Sequence, residues 1–120
     1  MTLREYLSIP YVFEIATVHH PDKGWFRRAT YPELPDCIAE DVTLLDAIQR
    51  LEEKRLSCIL RMIEQKAVIP VPRPPLLREM NFVLEPLTSI MQRLGYHQWA
   101  AKLDMDLDNV NANSFGKVVD

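Results

Sequence analysis

The side chains best suited to chemistry in this chain are five carboxylates, Glu14, Glu33, Asp36, Glu40 and Asp41. A metal-dependent nuclease needs several such groups converging on one point, where they hold divalent ions that activate water. Here only Glu14 falls on an expected strand, and the others lie in or beside turns. The spacing therefore predicts solvated charges, as is usual for acidic residues. His19 and His20 are adjacent, so on a strand they point to opposite faces and make no two-ligand metal pair. Asp104, Asp106 and Asp108 imitate the opening of a calcium loop. Its sixth position would be Asn109 where a glycine is required, and its twelfth Phe115 where a glutamate is required. Ser8, Ser57, Ser89 and Ser114 lack the strand–turn–helix context of a nucleophile elbow. Three glycines leave no phosphate-cradling loop. The expectation is a chain with no catalytic residue, no metal and no cofactor.

Binding chemistry is a different matter. Trp25 and Phe26 are consecutive, so on a strand one of them must face away from whatever covers the other side. An exposed aromatic on an open sheet face marks a partner surface. With Tyr31 and the acidic rim residues Glu33, Glu40 and Asp41, they form the candidate partner-binding set. In the last segment, Asn109, Asn111 and Asn113 are of a type that reads bases, and Lys117 of a type that meets phosphate. Residues 76–120 carry four basic against six acidic side chains, a balance that works against DNA contact.

The elements that would position these groups follow from periodicity and punctuation. Residues 11–19 alternate, with the odd face the more apolar, and read as a strand. His20-Pro21-Asp22-Lys23-Gly24 is a turn, and residues 25–30 return as a second strand. Pro32 and Pro35 make residues 31–36 a connector, because each removes a ladder donor. Residues 37–40 are long enough for a third strand. Thr43 is a helix cap with Asp46 in the first turn, and the helix runs to about residue 66. Its apolar rows are Leu44, Ile48, Leu51, Cys58, Met62 and Leu45, Leu56, Ile59, Ile63, the pattern of a surface helix on a sheet. Residues 68–71 read as a fourth, edge strand. Residues 73–76 form a polyproline-like linker. Helices are expected over 85–94, with Pro86 in the first turn and Gly95 as the stop, and over 96–103.

At 120 residues the chain fits one domain of ordinary size with a small appendage. Its composition, 48% hydrophobic and 26% charged, argues for a packed core. The formal charge of −3 provides no global field for nucleic acid or an anionic membrane. Cys37 and Cys58 are too few for a disulfide scaffold and read as reduced thiols. No signal peptide or membrane-length apolar run is present, so the expected setting is the cytoplasm.

The hairpin, Tyr31-Pro32-Glu33-Leu34-Pro35 with Cys37, then Ala39-Glu40, Thr43-Leu44 with Ala47, the long helix, and Ile69-Pro70-Val71-Pro72 follow one another in an order that resembles the HicB antitoxin family. The resemblance, which also includes Gly24, spans roughly residues 8–75. Asp36 and Val42 stand where that family usually has glycine and a small or polar residue. The resemblance implies an α+β, partial ribonuclease-H-like β-β-β-α-β domain over 1–75, a small sheet with one long helix on a face. A helical C-terminal segment over 76–120 would serve dimerisation or be a degenerate helix-turn-helix. It further implies a partner, a HicA-like mRNA-cleaving toxin that the chain binds and occludes. A homo-oligomer and control of its own operator DNA are implied as well. Ala100, Leu103, Asp104 and Met105 sit at helix-turn-helix-like offsets, but Asp104 replaces the turn glycine. The alternative is a stand-alone interaction or assembly module with neither toxin nor DNA partner.

Overall fold

Leucine, isoleucine and alanine recur between residues 44 and 64 at the spacing of one helical face, and a capped helix forms there. In the computed structural model, which describes residues 1–76 and 86–107, this is α2, Leu44–Glu64. Thr43 has extended backbone, and its hydroxyl accepts from the Asp46 N–H. That satisfies one of the unpaired donors of the first turn. At the other end Lys66 takes a positive φ of 56°. Its N–H reaches the Ile63 carbonyl, and the Ala67 N–H reaches that of Met62. These two bonds close the helix in a Schellman motif without the customary glycine.

Before α2 come α1 (Leu3–Leu7), β1 (Glu14–His20), β2 (Gly24–Thr30) and β3 (Ile38–Asp41). After it come α3 (Leu87–Arg93) and α4 (His97–Ala100). The strands form one antiparallel sheet in the order β1-β2-β3. The molecule is thus mixed α and β, a three-stranded antiparallel sheet with a long helix. Register places Ile15, Ala29 and Ala39 in one row across the sheet. Ala29 and Ala39 are buried, which identifies this as the helix-covered face. α2 lies over β3 and β2, and β1, at the edge, remains largely exposed.

Several expectations require correction. No strand forms over residues 68–71. Pro70 and Pro72 have no N–H to give a ladder. The segment is held instead by the Tyr11 hydroxyl, which donates to the Pro70 carbonyl at 2.7 Å. The first strand begins at Glu14, because the Val12 N–H is taken by the Glu33 carboxylate at 2.8 Å. Residues 73–76 are not a free linker. Arg73 donates to the Pro10 carbonyl and to Glu33, and the Leu76 N–H reaches the Ser8 carbonyl. Helix α4 stops at Ala100 and turns replace its expected last residues.

The helix α1 has no counterpart in the periodicity reading, being only five residues long. Its signal was a Thr-x-x-Glu capping box. The Thr2 hydroxyl accepts from the Glu5 N–H while the Glu5 side chain accepts from the Thr2 N–H. Leu3 and Leu7 are fully buried in one cluster with Leu51, Leu56, Ile59 and Leu60 of α2. Leu87, Ile90, Met91, Trp99 and Leu103 belong to the same cluster. The composition boundary at residue 75 therefore does not divide the core. α2 is also more than a surface helix, since Leu60, outside the two expected apolar rows, is fully buried. Leu44 and Leu45, inside those rows, are 39% and 60% exposed.

Candidate functional site

Trp25 and Phe26 do fall on opposite faces of β2, but their roles are the reverse of the simple expectation. Trp25 shares the helix-side face with Arg27 and Ala29, and yet it is 65% exposed. The reason is reach. β3 ends at Asp41, which pairs with Arg27, so the hairpin residues around Trp25 extend past the last β2–β3 pair. There Trp25 stacks on His19, ring centroids 4.7 Å apart. Phe26, on the face away from α2, is half-buried and meets His20 edge-on at 5.1 Å.

Tyr31 is partly buried against the core. Its hydroxyl donates to Glu52 at 2.6 Å, and its ring meets Tyr11, Phe13 and the Arg55 guanidinium. Burial pushes its hydroxyl pKa far up. Arg55 was not singled out by spacing, since one arginine in a helix of alternating charge looks like any other. It is only 5% exposed, pairs with Glu52 at 2.7 Å and reaches the Ile9 carbonyl.

The three acidic rim residues each have an internal cationic partner. Glu33 receives the Arg73 guanidinium in a two-pronged contact at 2.8 and 3.2 Å. That hydrogen bond, helped by the Val12 N–H, holds its carboxyl below the usual range. Glu40 receives His20 Nε2 at 2.7 Å and Arg28 Nε at 2.6 Å. The His20 bond first, and then Arg28, lowers its pKa. Asp41 receives Arg50 Nε at 2.7 Å. The rim is therefore a set of satisfied ion pairs and not a bare acidic field.

His20 against Glu40 is the type of contact by which a carboxylate orients an imidazole. The groove beside it is lined by His20, Pro21, Asp22, Lys23, Phe26 and Glu40, which include no serine, threonine or cysteine. A second shallow groove, of ≈ 590 Å³, runs between β3 and α2, past Ile38, Glu40, Arg50, Glu53, Lys54 and Ser57. Its charges alternate in sign, with Glu53 paired to Arg93 of α3 at 2.6 Å. Among the described residues no three of His, Cys, Asp and Glu converge as metal ligands would. Cys37 and Cys58 are both buried free thiols, and burial pushes Cys37 up to about 12.

Asn109, Asn111, Asn113 and Lys117 lie outside the described residues. The helix-turn-helix-like stretch before them is folded back on the N-terminus. The Arg4 N–H donates to the Leu103 carbonyl, Arg4 Nε pairs with Asp104 at 2.8 Å, and Thr2 bridges to Asp106. Asp104 thus has a structural partner at the position where a turn glycine was expected. No helix of the described residues is long and apolar enough to cross a membrane. Compared with models of protein families, with curated proteins and with solved structures, the chain matches none.

Proposed function

We propose that this chain is an antitoxin-type binding protein of partial ribonuclease-H-like fold that occludes a HicA-like, mRNA-cleaving toxin. It would work in the cytoplasm and by binding, not by catalysis. The observation that carries the reading is the hairpin, whose tip holds a 65% exposed Trp25 past the last β2–β3 pair. Large aromatics of this kind are typical anchors of protein interfaces. The ordered motifs of residues 24–72 supply the identity of the partner.

The ion pairs modify the mechanism. Because Glu33, Glu40 and Asp41 already hold Arg73, Arg28 and Arg50, a basic toxin would exchange one cation for another. Such exchange has little net Coulombic gain and mainly steers encounter. Apolar contact at Trp25 then governs how long the complex lasts.

The experiment is co-expression with a HicA-like ribonuclease, read as growth rescue and co-purification. Trp25→Ala should weaken the complex by at least about 30-fold, the effect of removing a hot-spot aromatic. No complex and no rescue would sink the proposal.

A second reading, a stand-alone interaction module, is favoured by the satisfied rim carboxylates and by the docking of residues 103–107 onto the N-terminus. It predicts no sequence-specific, salt-sensitive shift of the chain's own promoter DNA.

A further inference from the structure

Two observations meet at the free edge of β3. The first is backbone direction. The Tyr31 N–H donates to the Cys37 carbonyl, and the register carries that pairing on to Ala29 with Ala39 and Arg27 with Asp41. Bonded and non-bonded pairs alternate along an antiparallel ladder. Ala39 and Asp41 therefore turn their N–H and C=O groups toward β2, and Ile38 and Glu40 turn theirs outward. β3 ends the sheet, and among the described residues no strand takes these groups up.

The second is the ≈ 590 Å³ groove along that edge. Ile38 to Glu40 of β3 line one side, and Arg50, Glu53, Lys54 and Ser57 of α2 line the other. The helix residues are spaced by three and four, so they belong to one face of α2. The other free edge, β1, has no such wall, because α2 packs on β2 and β3. An open strand edge beside a helix, with a groove between them, suits the capture of an extended peptide by strand addition.

Charge selects the occupant. The carboxylates of the groove are already engaged: Glu53 holds Arg93, and Glu40 holds His20 and Arg28. Lys54 is exposed, and among the described residues its ammonium has no carboxylate partner. Positive charge is therefore left unmatched on the α2 wall. On the opposite face of the sheet Ile38 is 44% exposed. Side chains of an added strand would alternate between these two surroundings. Those opposite Ala39 would point to the α2 side and Lys54, and those opposite Ile38 to the other face. We propose that this groove takes up an extended segment of a partner protein, alternating acidic and apolar, which adds to the sheet as a fourth strand antiparallel to β3. Trp25 does not line the groove, so the proposal stands apart from the toxin reading and is tested without a toxin.

The probe is the peptide fluorescein-Val-Glu-Val-Glu-Val-amide, read by fluorescence anisotropy with the full chain. Its dissociation constant should be on the order of tens of micromolar, as a few backbone bonds and an ion pair allow. In the antiparallel register the valines stand opposite Ile38 and Glu40 and exchange the backbone bonds. Methylating the valine nitrogens should therefore weaken binding at least about tenfold, and methylating the glutamate nitrogens should not. A peptide with lysine for glutamate should also bind at least about tenfold more weakly. Lys54→Glu should abolish that preference with circular dichroism unchanged. If Lys54→Glu unfolds the chain, the two methylated peptides still decide the matter on the wild type. No binding at about 1 mM, equal loss from the two methylated peptides, or equal binding of the glutamate and lysine peptides would overturn the proposal. Peptide binding that fades as chain concentration rises would assign the edge to a second copy and overturn it too.

Discussion

Two residues hold backbone conformations that glycine adopts more readily, Asp36 at φ 55° and Lys66 at φ 56°. Asp36 lies in the connector between β2 and β3. Aspartate tolerates the left-handed region because its side chain bonds locally, whereas lysine has no such compensation. Lys66→Gly should therefore stabilise by about 0.5–1 kcal/mol, a rise of a few degrees in Tm by calorimetry, and Asp36→Gly by less. The rim carboxylates make a second prediction. Glu33 and Glu40 have folded pKa values below their ordinary 4.5, so the unfolded chain binds protons first on acidification. Their contribution is fully present above the ordinary carboxylate range and is lost as pH falls through the depressed folded values. Denaturant melts between pH 7 and pH 3 should show stability falling with acid, and Glu40→Gln should flatten that slope. A slope unchanged by Glu40→Gln would show that the His20–Glu40–Arg28 contact is inert.

At the level of elements, the long helix was legible in Thr43 and in the recurrence of Leu51, Leu56, Ile59 and Met62, since a capped amphipathic stretch of 21 residues has few alternatives. The hairpin was legible in Pro21-Asp22-Lys23-Gly24. The five-residue α1 was not, because so short a helix is stabilised by tertiary burial of Leu3 and Leu7 and hardly at all by propensity. The fourth strand failed for the opposite reason. Its residue types suit a strand, but strand pairing is a long-range choice, and Tyr11 captured the Pro70 carbonyl instead. Arg55 is the element-scale contact with most at stake, because it ties α2 to residue 9 and to the Tyr31 ring. Arg55→Leu should cost about 3–5 kcal/mol by stranding Glu52 in a half-dry site. Adding Glu52→Leu should recover a good part of that loss, measured by urea melts as a double-mutant cycle.

For the whole molecule, the decisive fact is the single core. Trp99 and Leu103, far along the chain, are buried with Leu3 and Leu7, and the N-terminus is bonded to residues 103–107. A fragment of residues 1–75 should therefore lose cooperative folding, seen as a broad melt and dye binding to exposed apolar surface, instead of behaving as an independent domain. A sharp transition near that of the full chain would refute this.

What the sequence determined by itself was local: where the chain turns, where α2 starts and stops, and which residues alternate on the hairpin. Those outcomes depend on neighbours a few positions apart, through proline geometry, caps and periodicity. Tertiary structure alone decided that the hairpin outruns β3 and exposes Trp25, and that Glu33, Glu40 and Asp41 are already paired. It also decided that β1 is left with an open edge and that the C-terminal helices join the first core. Each of these depends on residues brought together from tens of positions apart, and no spacing rule encodes which of several compatible partners a side chain or strand edge will meet.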